Sequence, residues 1–394
     1  MFSCVKFISL FRMLFGVEEN LCLVKIEQMG LLAVKIAQMY AVRSDLLGVE
    51  KCKKLQGLYE KSSPILWSEA EALLKDLAPS GLWRAVAELD PEPLSVASLG
   101  QVHRAVLMTG EEVVVKFIKP KARESFESDL RILKGLARGM VFFYPKLKRL
   151  ADPVGTIDTI ARLTRTEFNL LNEDKGSQTL AKLRGDDYLE VLHFPKIYRE
   201  LSNQNVLVSE YIPHLSVMRG CEDGSYQYEQ LLQLFRVQGY FLFLKGQFHG
   251  DLHPGNIFFC KNELWFLDNA NIEKVDVGFT KGLLNFLSKL GEGEYLRAAQ
   301  EMELLSLRPP KDSKQYYMKF QMLYAGFRSG KKSSLTTQMM ETVKLCVHSG
   351  MEFPVGAFSV IKSLMYLDGI ALRCAPDADL LKEVLKFSEV KREL

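Results

Sequence analysis

Eight consecutive residues, His249-Gly250-Asp251-Leu252-His253-Pro254-Gly255-Asn256, constrain this chain more than any other stretch. An apolar run with helical spacing, Leu231 to Phe248, leads into them. Two β-type runs follow, Ile257 to Cys260 and Leu264 to Leu267, joined by a turn at Lys261-Asn262-Glu263 and ending at Asp268. The pattern places Asp251, Asn256 and Asp268 on two loops that bracket a hairpin. Phosphoryl transfer needs such a set. One carboxylate orients the attacking hydroxyl, while an amide and a second carboxylate hold magnesium against phosphate oxygens. The spacing is that of a kinase catalytic loop and its metal-binding Asp. A solvated Asp/Asn turn beside a hairpin is the plain alternative, and agreement at all three positions weighs against it.

Composition bounds the rest. With 394 residues, 47% of them hydrophobic, the chain can bury a full core in two or three lobes. Lys and Arg number 51 against 48 acids, a net charge of +3, so no basic field argues for nucleic acid as a partner. The seven cysteines are scattered and form no CxxC pair. That usage favours reduced thiols in the cytoplasm or on the matrix side of an organelle. No stretch reaches the ~18 uncharged apolar residues a membrane span requires; Arg236 and Lys245 interrupt the best candidate. The first sixteen residues are apolar and aromatic, with Lys6 and Arg12 and no acid. They read either as a membrane-surface helix or weak targeting segment, or as a first helix packed on the domain.

In chain order, residues 1–90 read as helical. Apolar residues recur at helical spacing from Leu21 to Tyr40. Ser68 with Glu71 forms a capping box opening a helix from Glu69 to Leu77. Lys35 and Gln38 share a helix face, and the pattern alone makes them a solvated pair. Residues 91–213 read as a small sheet with helices. Pro91 and Pro93 break the chain, after which come runs at Leu94 to Leu99, Val102 to Met108 and Val113 to Ile118. Lys116 lies mid-strand, where burial is costly unless the ammonium meets an anion. In kinases that anion is a pair of nucleotide phosphates, with a helix Glu as counter-ion. The turn Ser98-Leu99-Gly100-Gln101 stands where kinases carry a GxGxxG loop, but with one glycine its amides approach phosphates less freely. Helices are expected at Ser125 to Leu150 and Thr156 to Leu183. The second carries Glu167 and Glu173, counter-ions available to Lys116 and Lys35, with an ordinary surface charge as the alternative for each. A strand from Val206 to Ile212, broken by Pro213, is the expected hinge against adenine. Residues 214–394 are mostly helical, with helices predicted at Asp276 to Leu290, Gly293 to Leu305, Tyr316 to Phe327, Leu335 to Gly350 and Ala357 to Cys374. Gly326 to Ser333 misses the Walker pattern by one spacer and by Lys332, and reads as a loop.

Taken together, Lys35-Ile36-Ala37-Gln38, the stretch from Pro93 to Ala105, Val115-Lys116, Glu167-Phe168-Asn169 and His249 to Asn256 resemble the ABC1/UbiB atypical kinases, also called AarF or ADCK-type proteins. The resemblance runs from about residue 29 to residue 380, and its specificity lies in the helical Lys-x-x-Gln element and the SLGQVHRA stretch. It implies an α+β, protein-kinase-like two-lobed fold with an N-terminal helical extension. The extension would be residues 1–90, the N-lobe 91–213 and the mostly helical C-lobe 214–394. It further implies ATP or ADP with Mg2+, and a role in ubiquinone or other isoprenoid-lipid metabolism. Lipid surfaces and quinone-biosynthesis proteins are then the expected partners, with peripheral membrane association. By position, Lys116 pairs the phosphates with Glu173 as its counter-ion. Ala97, Ser98, Leu99, Gly100, Gln101 and Val102 form the phosphate loop, and Glu210 and Ile212 meet adenine. Lys35, Gln38 and Glu167 form the extension motif that reaches into the active site. Asp251 takes the catalytic-base position, and Asn256 and Asp268 bind the metal. The chain departs from the family pattern at Ala37, at Ser95 and Val96, at Asn169 and at Asn269-Ala270. None of these removes Lys116, Asp251, Asn256 or Asp268. The alternatives are a nucleotide-binding pseudokinase scaffold and a small-molecule kinase of the aminoglycoside or choline kinase type. The latter does not account for the Lys35/Gln38 helix or SLGQVHRA.

Overall fold

A computed structural model describes residues 2–16, 21–41, 47–59, 64–96, 99–144, 153–185, 189–213, 228–260, 263–329, 333–354, 356–374, 380–381 and 384. The expected phosphate-loop residues Ala97 and Ser98, the hairpin turn at Lys261-Asn262 and the loop residues 330–332 lie outside these. The chain divides into two compact units, one of Met1–Lys175 with Pro195–Ile212, the other of Gly176–Phe194 with Pro213–Leu394.

The first unit opens with helices α1 (Phe2–Phe15), α2 (Leu23–Gln28) and α3 (Leu31–Tyr40). The periodic run from Leu21 to Tyr40 is therefore two helices, because Gly30 sits at φ 94°, a left-handed conformation that ends one helix and starts the next. Helices α4 (Val49–Gln56), α5 (Trp67–Leu77) and the short α6 (Leu82–Ala85) follow. The capping box at Ser68 does not form. Leu66 is the N-cap of α5, and Ser68 lies within its first turn. The helix starts at Trp67, ahead of the expected Glu69, and Trp67 packs on His103 with ring centroids 5.3 Å apart.

A four-stranded antiparallel sheet comes next, in the order β1-β2-β3-β5, with β1 at Val86–Val96, β2 at Gly100–Leu107, β3 at Glu112–Ile118 and β5 at Val206–Glu210. Pro91 and Pro93 do not break the chain as expected. They sit within β1, an edge strand whose register slips around them, so neither must donate a ladder hydrogen bond. Strand β3 is central, pairing Lys116 with Val102 on one side and Leu207 on the other. Its pleat turns Val113, Val115 and Phe117 into the core and Lys116 to the opposite face.

Helix α7 (Pro120–Phe143) begins with proline in its first turn and buries Phe126, Leu130, Leu133 and Ala137, one stripe at helical spacing. The expected helix from Thr156 to Leu183 is again two, α8 (Pro153–Glu167) and α9 (Leu171–Leu183). Asn169 makes the break: its carbonyl groups accept the Leu171 N–H (side chain, 3.2 Å) and the Asn172 N–H (backbone, 2.9 Å). One core joins Phe7, Leu10 and Leu14 of α1, Leu32 and Ile36 of α3, and the buried stripes of α7 and α8. The apolar first residues are thus a packed helix, tied to α7 by the Lys6–Asp129 ion pair at 2.5 Å, while Val5, Ile8 and Phe15 stay exposed.

The second unit contains β4 (Leu192–His193), helix α10 (Tyr228–Gly239) followed by a π-helical turn at Tyr240–Lys245, and β6 (Gln247–His249). The apolar run to Phe248 therefore ends as strand, not helix. Strands β7 (Ile257–Cys260) and β8 (Glu263–Phe266) form the expected antiparallel hairpin, with β4 parallel to β8, while β9 (Ile272–Lys274) pairs with β6. Helices α11 (Val277–Gly291), α12 (Tyr295–Leu304), α13 (Ser313–Ser329), α14 (Leu335–His348) and α15 (Ala357–Cys374) complete it. The basic loop expected from Gly326 is helical as far as Ser329. A separate core, including Phe241, Phe248, Phe266, Phe286 and Phe320, belongs to this unit. Among the described residues no helix is long and apolar enough to cross a membrane.

Candidate active site

Two ion pairs of the first unit hold the lysines singled out from the sequence. Lys116 on β3 donates to Glu173 Oε1 on α9 at 2.5 Å, with Glu173 buried. Lys35 on α3 donates to both carboxylate oxygens of Glu167, the last residue of α8, at 2.8 and 2.6 Å. The two lysines thus choose different acids, and each acid is held by a separate helix. Gln38 parts company with Lys35. Its amide nitrogen donates to the Leu58 carbonyl at 3.0 Å, locking α3 to the turn after α4.

Of the phosphate-loop positions, Gly100 opens β2 against β3, and a Cβ there would lie 1.9 Å from the Phe117 carbonyl oxygen. The single glycine is therefore required by strand approach. The Leu99 carbonyl accepts the Lys119 N–H at 2.9 Å, and Val102 pairs with Lys116 across the ladder. Gln101 is fully buried, accepting the Ile65 N–H and meeting His103 Nε2 at 3.2 Å. Its side chain is committed to tying the extension to the sheet. At the expected hinge, the Glu210 carboxylate accepts the Lys196 N–H at 3.1 Å, and Ile212 is buried.

In the second unit, the catalytic-loop sequence is organised around His249. Complete burial pushes this imidazole below its ordinary range, so it is neutral. Nε2–H donates to the Leu267 carbonyl at 3.1 Å, and Nδ1 accepts the Asp251 N–H at 3.1 Å. One ring therefore joins the backbone of Asp251 to the residue before Asp268. The loop closes by hydrogen bonds from His253 N to the Asp251 carbonyl and from Asn256 N to the His253 carbonyl, both 2.9 Å. Asn256 Nδ2 donates to the Asp251 carbonyl at 3.2 Å, so the amide oxygen is the end of that side chain chemically suited to a cation. Asn256 precedes β7 and Asp268 follows β8, and Leu267 N donates to the Asn256 carbonyl at 2.9 Å, so the two metal-type side chains flank paired strand ends. Asp268 is the one described non-glycine residue with positive φ, 53°. Such a conformation is stored where structure around it over-determines it. The next residue supplies that support: Asn269, buried, donates to the Phe266 carbonyl at 2.9 Å and to Ser177 Oγ at 3.0 Å. Gly176 lets this contact form, since a Cβ there would lie 1.7 Å from the Asn269 carbonyl oxygen.

The donor set fits magnesium. That ion takes one or two protein oxygens and completes its shell with phosphates and water. Among the described residues no group of three or more His, Cys, Asp and Glu is placed to hold a metal by itself.

Sequence reasoning missed what meets the Asp251 side chain. Lys362 Nζ lies 2.7 Å and Tyr366 OH 3.1 Å from Asp251 Oδ1, both presented by α15. The available signal was a Lys and a Tyr four residues apart on a mostly apolar helix, which puts them on one face.

Comparison with known proteins gives the family and the fold. The ABC1 atypical kinase-like domain matches residues 57–302. An uncharacterized protein of Synechocystis is 26% identical over 94% of this chain and 64% of its own length. A probable protein kinase UbiB of Pseudomonas putida is 30% identical over 61% of this chain and 44% of its own length. The chain thus spans less than two thirds of either relative. Among solved structures, the Mycobacterium tuberculosis Rv3197–erythromycin complex shares the fold, with a TM-score of 0.57 at 20% identity, covering 98% of this chain and 95% of that one. With its mixed helix-and-sheet, kinase-like fold and its matched domain, the chain belongs to the ABC1 atypical kinase-like family.

Proposed function

We propose that the chain binds Mg–adenine nucleotide and transfers or hydrolyses its terminal phosphoryl group. The observation that carries this reading is the Asp251–Asn256–Asp268 set, built by His249 and the β7–β8 hairpin around a strained Asp268. By the motif resemblance, Lys116, held by Glu173, is the cation assigned to the nucleotide phosphates. Asn256 and Asp268 would hold magnesium, which when bound neutralises charge on the phosphate oxygens. Asp251 orients an oxygen nucleophile, water or an alcohol. That oxygen bonds to the γ-phosphorus as the bond to the β,γ-bridging oxygen breaks. ADP leaves with the electron pair, and the nucleophile's proton passes to Asp251 or to the transferred phosphate. A setting in ubiquinone or other isoprenoid-lipid metabolism is supported by the motif resemblance and by UbiB-named relatives.

The test is phosphate release and thermal shift with Mg-ATP, with and without anionic vesicles. Nucleotide at about 100 times its Kd should stabilise wild type by about 2.7 kcal/mol. Asp268→Asn should lose that stabilisation and keep its fold, and Asp251→Asn should bind nucleotide without turning it over. Equal Mg-ATP stabilisation of wild type and Asp268→Asn would remove Asp268 as a ligand. Stimulation by vesicles supports the lipid setting; unchanged rates count against it.

A further inference from the structure

We propose that Lys362 is a catalytic residue of the transfer step, a cation delivered by α15 to the γ-phosphoryl group as it moves to the nucleophile. The inference rests on the nucleotide reading above. Phosphoryl transfer spreads negative charge over three equatorial oxygens, and catalysis lies largely in placing cations and donors where that charge develops. The catalytic loop has no Lys or Arg between His249 and Asn256. Both of its histidines bond the loop's own backbone: His249 Nδ1 accepts the Asp251 N–H at 3.1 Å, and His253 Nδ1 accepts the Gly255 N–H at 3.2 Å. The cation beside the loop comes instead from 111 residues further along the chain, where Lys362 Nζ donates to Asp251 Oδ1 at 2.7 Å. Tyr366, one turn later on α15, places its OH 3.1 Å from the same oxygen and its ring centroid 5.4 Å from Lys362 Nζ. A nucleophile held by Asp251 sits about 2.6–3.2 Å from the carboxylate, and the atom it attacks about 3–3.5 Å beyond. An ammonium on a flexible four-carbon stem covers that distance by pivoting at the carboxylate.

Packing does not account for Lys362. Helix α15 already docks through Val360, Leu364, Leu367, Ile370 and Ala371, all buried, and through Ser363, which accepts from Gln238 at 2.8 Å. The Lys362 and Asp251 side chains retain 22% and 27% of their exposure, a degree at which an ion pair adds little stability. The same partial exposure leaves the pair within reach of a bound phosphoryl group. There Lys362 acts as a point charge with N–H donors for the equatorial oxygens. The bonds made and broken are those of the reaction above, and Lys362 neither gains nor loses a proton. Its effect belongs to the transferring group, so it acts on turnover more than on nucleotide affinity.

The experiment measures Mg-ATP hydrolysis at one fixed pH, and binding of Mg-ADP with and without aluminium fluoride, a mimic of the phosphoryl group in transfer. Wild type is compared with Lys362→Met, Lys362→Arg, Tyr366→Phe and Asp251→Asn. Melting temperatures confirm that each variant is folded, and Lys362→Gln carries the same test if Lys362→Met does not fold. Lys362→Met should lower kcat about a hundredfold and keep KM for Mg-ATP within about threefold. It should hold Mg-ADP affinity within about twofold, yet lose about tenfold or more of the affinity that aluminium fluoride adds in wild type. Lys362→Arg should recover part of both losses. Tyr366→Phe, which removes a neutral contact to Asp251, should keep the fluoride gain. Equal loss of Mg-ADP affinity with and without fluoride in Lys362→Met overturns the inference, because a structural tie weakens both alike. A Tyr366→Phe variant that loses the gain as fully as Lys362→Met overturns it too, and so does a wild type that hydrolyses Mg-ATP but gains nothing from fluoride. If Asp251→Asn is inactive while Lys362→Met keeps its kcat, this inference alone fails. If wild type hydrolyses no Mg-ATP, or Asp251→Asn matches it, the nucleotide reading fails and takes the inference with it.

Discussion

At the scale of single residues, His249 does more than its place in a motif suggests. It is buried in the second unit's core and neutral there, bonded at both nitrogens to backbone on either side of the site. The unfolded chain protonates histidine near pH 6.5. Below that pH the unfolded state holds a proton the folded state refuses, so stability is fully present above about pH 6.5 and declines as pH falls. His249→Gln should therefore be less stable at neutral pH by about 1–3 kcal/mol, from the bonds it loses. Its stability should also fall less steeply between about pH 6.5 and about pH 5, by up to about 1.4 kcal/mol per pH unit. Denaturant melts across that range read both quantities, and parallel slopes would show that His249 does not titrate in the unfolding reaction. Asn269 is the other residue whose meaning changed. In sequence it is a departure from the family pattern; in the structure it is the buried polar support under Asp268.

Among the elements, α3 matters most. Sequence periodicity established its apolar face, but a solvated Lys35 and Gln38 were the plainest reading of its polar one. The structure turns Lys35 onto Glu167, with side chains 16% and 20% exposed, and Gln38 onto a backbone carbonyl. An exposed pair is worth under ~1 kcal/mol, and breaking a fully buried one costs about 3–5. Lys35→Ala should fall between, near 2 kcal/mol, and should alter the rate of phosphate release if the extension motif takes part in the ATP reaction. A double-mutant cycle with Glu167→Gln isolates the pair. Coupling below about 0.5 kcal/mol with unchanged turnover would reduce α3 to packing.

At the scale of the molecule, each unit carries its own core: that of the second unit is aromatic-rich, and one of those in the first joins α1 and α3 to α7 and α8. Tryptophans report on them separately, since Trp67 and Trp83 belong to the first unit and Trp265 to the second. Leu32 is fully buried in α3. Leu32→Ala should cost about 2–5 kcal/mol. The loss should appear in the urea transition followed by Trp67 and Trp83 in a Trp265→Phe background. The transition followed by Trp265 alone should move less. Equal shifts at both reporters would mean that the two cores unfold as one cooperative block.

The β7–β8 hairpin and the run of helices around it are legible in the sequence. Their signals are short-range: turn chemistry, strand alternation, and Asp and Asn at set spacing within about twenty residues. Breaks inside periodic runs were less legible, because Gly30 and Asn169 interrupt helices whose apolar stripe continues across them. Long-range partners meet only through tertiary packing. Lys116 finds Glu173 57 residues away, Lys35 finds Glu167 132 away and Lys362 finds Asp251 111 away. By spacing alone Glu167 and Glu173 are equivalent acids; the family resemblance gave Glu173 to Lys116 and Glu167 to the Lys35 motif, and the structure shows those pairs. Which lysine meets which depends on how helices pack against a sheet, and that is set by cores assembled from every part of each unit.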